Sequence, residues 1–199
     1  MKSSTHPQVL SYEQIRDLSE RILNDLHSDL SLPIPIEEIV ELKLSIQLNT
    51  VINLKENFDI DGFIHTNFKE ITLDDDMFNR FEERSRFTIA HELGHKYLHQ
   101  DIYNKFNIKD KESYTTFQNS VPEDDQKWLE NQANIFAACL LVPTTELKEE
   151  FKKAMNEKNS TFFEADYALP HLEGLPSVFK VSSAVIYRRL QKEGLLSTK

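Results

Sequence analysis

From Tyr12 to Leu30 the apolar residues Ile15, Leu18, Ile22, Leu23, Leu26 and Leu30 recur at three- and four-residue spacings, the stripe of an amphipathic helix. Leu32-Pro33-Ile34-Pro35 interrupts it, because proline lacks the amide donor a helix interior needs, and the pattern restarts as a shorter helix over Ile36–Leu42. Three short runs follow, Ser45–Val51, Gly62–Thr66 and Glu70–Leu73, separated by polar turn formers such as Asn53, Asn57 and Asn67. They predict three strands, most economically a small antiparallel sheet. Helical spacing returns over Arg84–His99, where Phe87, Ala90, Leu93, Gly94, Tyr97 and Leu98 are apolar or small.

Asp101–Ser120 is polar without a clear period and reads as an irregular surface connection. Pro122-Glu123-Asp124-Asp125 opens the next helix, since proline suits a first turn and carboxylates favour the positive end of the helix dipole. That helix runs through Ala133, Phe136, Ala137 and Leu140 until Pro143. Thr145–Met155 is helical by pattern, Asn156–Ser160 is a polar break, and Leu172–Leu196 reads as two short helices around Phe179-Lys180-Val181-Ser182. The element order predicts an α+β fold with one main unit over residues 1–155 and a helical tail over 156–199 packed on it.

Bulk composition narrows the class without naming it. The 199 residues are 39% apolar and 28% charged, which suits a globular chain. A formal net charge of −10 opposes direct nucleic-acid binding, which depends on neutralising phosphates. The lone Cys139 excludes an intrachain disulfide, no run of about 18 apolar residues is present, and Met1–Pro7 lacks the apolar core of a signal peptide. The expectation is a cytoplasmic protein with no membrane association.

The chemistry concentrates in His91-Glu92-Leu93-Gly94-His95, an H-E-x-x-H pattern that puts two imidazoles one turn apart on one helical face, where both can bind one metal ion. Zinc suits such ligands, and a catalytic site needs three protein ligands and an open position for water. Glu92 would then be the general base. The plain alternative is a helix with two exposed histidines and a surface glutamate. Gly94 weakens a helix, so a packing reason for it is expected. For the third ligand, Glu130 shares a face with Ala133, Asn134, Ala137 and Leu141; taken alone it reads equally as a ligand and as one more acid in a charged helix start. Asp101 is the weaker candidate. His99 reads as a structural histidine, Cys139 as a buried small hydrophobe, and His65 as a weaker candidate donor to a substrate oxyanion.

Two segments carry a resemblance. Arg86-Phe87-Thr88-Ile89-Ala90-His91-Glu92-Leu93-Gly94-His95, and Glu130-Asn131-Gln132-Ala133-Asn134-Ile135-Phe136-Ala137-Ala138-Cys139-Leu140-Leu141-Val142-Pro143, resemble in order and spacing the two signatures of the ImmA/IrrE family of metallopeptidases. The resemblance implies a zincin-like fold, zinc (Zn2+) held by His91, His95 and Glu130, and Glu92 as catalytic base. Gln132 departs from the family pattern, in which a second glutamate is common, and leaves Glu130 as the acidic residue of the signature. Asn134 either orients a ligand or bonds to nearby backbone.

The tail segment Phe179–Leu190 resembles the second half of a helix-turn-helix and is locally basic, with Lys180, Arg188, Arg189, Lys192 and Lys199 against Glu193. The family resemblance implies a zinc endopeptidase that cleaves an intracellular regulator, a helix-turn-helix transcriptional repressor of a mobile element or stress response. A second reading is a regulatory binding module that controls a repressor or toxin by contact. A third, a general degradative peptidase, fits an intracellular setting poorly. Finally, the strand Glu70–Leu73, just before the motif helix, is expected to be the sheet edge that receives substrate, and the tail to recognise a folded part of it.

Overall fold

A computed structural model describes residues 8–155 and 168–197. The predicted break at Asn156–Ser160, the junction between main unit and tail, and Lys199 lie outside them.

Helix α1 (Tyr12–Leu26) starts at a capping box in which Ser11 and Gln14 exchange side-chain and backbone hydrogen bonds. It stops four residues short of Leu30, which packs on the core from a turn with φ 49°. The apolar spacing is thus satisfied without helix. Pro35 precedes α2 (Ile36–Glu38), which widens into a π turn over Ile39–Lys43.

Strands β1 (Gln47–Val51), β2 (Gly62–Ile64) and β3 (Glu70–Asp74) form one sheet in the order β1-β3-β2. The β2–β3 pair is antiparallel as the pattern suggested, but β1 runs parallel to β3, with Gln47 opposite Glu70, so the sheet is mixed. The intervening α3 (Leu54–Phe58) carries the chain across, which parallel pairing requires. Asp74, buried, accepts from the amides of Lys55 in α3 and Met77 in α4 (Asp75–Arg80), both at 2.9 Å, and fixes both turns. β3 is therefore the central strand and β2 the edge beside the motif, contrary to the expectation for Glu70–Leu73.

Helix α5 (Glu82–Leu98) carries the motif through the middle of the molecule, with Ile89, Ala90 and Leu93 fully buried. Arg86, also buried, donates to the carbonyl of Ile34 at 2.6 Å and pairs with Glu37 at 3.2 Å, tying α5 to the proline segment. The stretch expected to be irregular contains α6 (Gln100–Tyr103) and α7 (Lys111–Ser120). Helix α7 starts at an Asp110–Ser113 capping box and buries Tyr114 and Phe117, a three-residue spacing too brief to register as a period.

Helix α8 (Glu123–Leu141) lies against α5, and α1 packs on α8. Helix α9 (Thr144–Met155) follows. In the tail, α10 (Leu175–Phe179) and α11 (Ser183–Lys192) flank a turn at Lys180, as the pattern suggested. Arg189 does not belong to a solvent-facing basic edge. It is 1% exposed, donates twice to the carbonyl of Val142 at 3.0 and 2.9 Å, pairs with Glu193 at 2.5 Å, and bonds the Tyr12 hydroxyl. Arg188 is exposed.

Where α5 meets α8, a β-carbon at Gly94 would stand 2.9 Å from Cα and 3.1 Å from the carbonyl oxygen of Ala133. Alanine at 94 gains about 1 kcal/mol of helix propensity but forces the helices apart at about 1–3 kcal/mol. Gly94→Ala is expected to lower stability in urea denaturation despite the better helix former. Arg189→Met, which strands Glu193 without its buried partner, is expected to cost about 3–5 kcal/mol, whereas Arg188→Glu stays within about 0.5 kcal/mol; urea midpoints compare the two.

Candidate metal centre

One helical turn on α5 brings His91 and His95 together, with their Nε2 atoms 2.9 Å apart. Glu130 reaches them from α8, Oε2 lying 3.2 Å from Nε2 of His91 and Oε1 3.6 Å from Nε2 of His95. One ligand atom from each residue falls within 4.8 Å of the others. Tetrahedral zinc with Zn–N near 2.0–2.1 Å sets neighbouring ligand atoms about 3.3 Å apart, so the three side chains fit such an ion without a change of helix position. Asn134, one turn beyond Glu130, accepts from Nδ1–H of His91 at 3.1 Å. That bond selects the orienting reading of Asn134 and leaves Nε2 of His91 as a lone pair. Two imidazole lone pairs and a carboxylate aimed at one point repel one another unless a proton or a metal cation lies between them.

A second observation supports the fit. The ring of Tyr103 lies 5.2 Å from that of His95, and among the described residues its fully buried hydroxyl has no hydrogen-bond partner. Glu92, Glu130 and Tyr114 all act on it electrostatically. A buried hydroxyl left without a partner this near His95 is a polar group that the protein atoms alone do not satisfy.

Glu92, 2% exposed, turns toward the sheet edge, where its Oε2 accepts from the Ile64 amide at 2.8 Å. Burial pushes its carboxyl up to about 7; the Glu130 charge adds to the rise, while His91 and the Ile64 amide oppose it. Burial also works against charge on His91, but Glu130 and Glu92 outweigh it and raise that ring's pKa. His95 is held well below the ordinary histidine range, by burial first and by His91 and His99 next. Opposite shifts on neighbouring groups in one cleft are typical of functional sites.

The cleft over the site has a volume of about 390 Å³ and is bordered by the approach to β2 at Asp59 and Gly62, by Phe87, and by Tyr114 and Gln118 of α7. Tyr114 escaped the sequence reading because α7 did; its ring stacks on Phe63 at 5.0 Å. Gln118 bonds its phenolic oxygen.

The remaining candidates separate clearly. Asp101 is exposed and outside the ligand group. His65 bonds Thr72 at 2.8 Å, stacks on Phe63, and does not line the cleft. His99 is buried against His95, with 3.0 Å between their Nδ1 atoms, and burial pushes its pKa down to about 4. Cys139 is fully buried, and burial pushes its thiol up to about 11.

A small sheet packed on an H-E-x-x-H helix, with a carboxylate supplied by a second helix, is a metallopeptidase type of site. The chain belongs to the IrrE N-terminal-like domain family, peptidase M78, whose sequence profile matches residues 50–191. The family implies a metal. No curated protein matches the chain. Among solved structures, a Mycobacterium tuberculosis transcriptional regulator is similar with a TM-score of 0.55 at 16% identity, over 90% of this chain. That likeness is one of fold, and the chain covers 46% of that protein. Among the described residues no helix is long and apolar enough to cross a membrane.

The donor set predicts about one divalent ion per chain, with Glu130→Ala, His91→Ala and His95→Ala each losing most of it. Elemental analysis of the purified variants checks this; full occupancy in Glu130→Ala would remove Glu130 from the ligand set.

Proposed function

We propose that this chain is a zinc-dependent endopeptidase acting on an intracellular protein regulator, with a helix-turn-helix repressor as the substrate class that the family resemblance implies. The observation that carries the reading is the Glu92 carboxylate, anchored by one oxygen beside the converging His91, His95 and Glu130.

Zinc held by those three side chains would supply Lewis acidity and bring the pKa of a bound water toward about 7. The chain's own groups do the rest. The Ile64 amide fixes Oε2 of Glu92, so Oε1 takes the proton of the attacking water as its oxygen bonds to the peptide carbonyl carbon. The same proton then passes to the leaving nitrogen as the C–N bond breaks. A carboxyl raised toward neutrality by burial suits both transfers. Burial first, and the Glu92 and Glu130 charges next, hold the Tyr114 phenol well above its ordinary pKa, so it keeps its hydrogen as a donor for the carbonyl oxygen as that atom gains charge.

The substrate backbone is held as an extended segment along the β2 edge, with the wall at Asp59–Gly62 beside it. That assignment replaces Glu70–Leu73, which lies inside the sheet. Recognition of a folded part of the substrate falls to the exposed face of α11 at Arg188, since Arg189 is committed to the interior. A cytoplasmic setting accords with such a substrate.

Glu92→Gln keeps the carboxamide's hydrogen bond to Ile64 and removes the proton acceptor. It is expected to retain metal and substrate binding and lose about 10²–10⁴-fold in cleavage. The test captures bound protein on Glu92→Gln, then incubates that protein with wild type and follows fragments by mass spectrometry. A Glu92→Gln chain that still regulates its target in cells, with no fragments formed by wild type, would instead establish control by contact.

A further inference from the structure

A side-chain amide donates from one end and accepts at the other, and a backbone carbonyl only accepts. Gln132, on α8 and 1% exposed, has one end 2.8 Å from the carbonyl oxygen of Gln8. That end is therefore its NH₂ group, and its oxygen is the atom facing Nε2 of His99 at 3.2 Å. An acceptor there requires hydrogen on Nε2 of His99. A neutral imidazole so protonated has a bare lone pair on Nδ1, and that atom lies 3.0 Å from Nδ1 of His95. Nδ1 of His95 must then carry hydrogen, and its Nε2 is left bare, aimed at Nε2 of His91 and at Glu130.

We infer that His99 and Gln132 are positioning residues for the metal centre, a relay of hydrogen-bond polarity that starts at the Gln8 carbonyl and fixes His95 in the tautomer that presents Nε2 as a metal ligand. The inference rests on the reading of His91, His95 and Glu130 as metal ligands. It makes His91 and His95 equivalent by different means: Asn134 holds Nδ1–H of the first directly, while the second is set through two buried side chains. It also gives Gln132 a use that a simple loss of an acidic residue does not. Within the relay Gln132 must offer His99 an acceptor, and its bond to the Gln8 carbonyl turns the amide so that it does; an apolar side chain of the same length offers none. The relay ties the segment before α1 to the proposed metal ligands through Gln8 and Gln132, which are 124 residues apart in sequence.

Two measurements on the 199-residue chain test this. Nitrogen-15 spectra of the zinc-free wild type report the histidine tautomers directly; hydrogen on Nδ1 of His95 and on Nε2 of His99 is expected, and hydrogen on Nε2 of His95 overturns the relay whether or not any variant folds. Zn2+ affinity is then measured by competition with a chromophoric chelator. Gln132→Met is expected to weaken it about 10–100-fold, and Gln132→Glu, which keeps an acceptor for His99, to recover most of the loss. Equal affinity of Gln132→Met and wild type overturns the relay alone. A wild type that takes up no Zn2+ overturns the metal centre and this inference with it, so the two failures are distinguishable.

Discussion

Where α5 crosses α8, Gly94 offers no side chain and the Ala133 backbone occupies the space a β-carbon would need. That close approach governs everything the site does. Imidazole and carboxylate side chains are short, and Glu130 can reach within 3.2 Å of His91 only if the two helix axes come together at a residue without bulk. The glycine lies one residue before His95 and the alanine three residues after Glu130, so the point of contact sits beside the side chains that converge. A helix interior tolerates glycine at a cost of about 1 kcal/mol, and the helix pair returns that cost as geometry.

The sheet contributes less bulk than position. Its central strand supplies the register, and its edge strand delivers one amide, that of Ile64, to one oxygen of Glu92. A buried carboxyl with a single fixed hydrogen bond has a defined direction, and burial raises its pKa. Helix α7 covers the far side, where Tyr114 stacks on Phe63 of the same strand. Glu92 and Tyr114 are thus held by neighbouring residues of β2.

The tail is bound to this arrangement by charge buried away from water. Arg189 satisfies the carbonyl at the end of α8, the helix that bears Glu130 and Gln132, while Glu193 and Tyr12 satisfy Arg189 in turn. Such a network stabilises little relative to apolar packing, but it tolerates no single deletion and so specifies one docking of α1, α8 and α11. An arginine three positions from a lysine-bearing helix end looks like surface charge until its partners, 47 and 177 residues away, are in place.

What the sequence alone determined was whatever depends on neighbours along the chain. Four-residue spacing put His91 and His95 on one face, proline bounded α8, and the Gly94 signal of a close contact was readable because glycine is costly mid-helix. The two family signatures brought Glu130 forward, which spacing alone left undecided. Tertiary structure decided the rest. Parallel pairing of β1 with β3 follows from a crossover that no local pattern encodes, and it turned the expected edge strand into the central one. Helix α7 has too few buried positions to show a period, so Tyr114 stayed hidden with it. The polarity of the Gln8–Gln132–His99–His95 chain depends on which atom of each group faces the next, a property of side chains meeting across about 124 residues. Local periodicity reports which face of an element is buried, whereas the direction of a hydrogen bond exists only once both partners are in place.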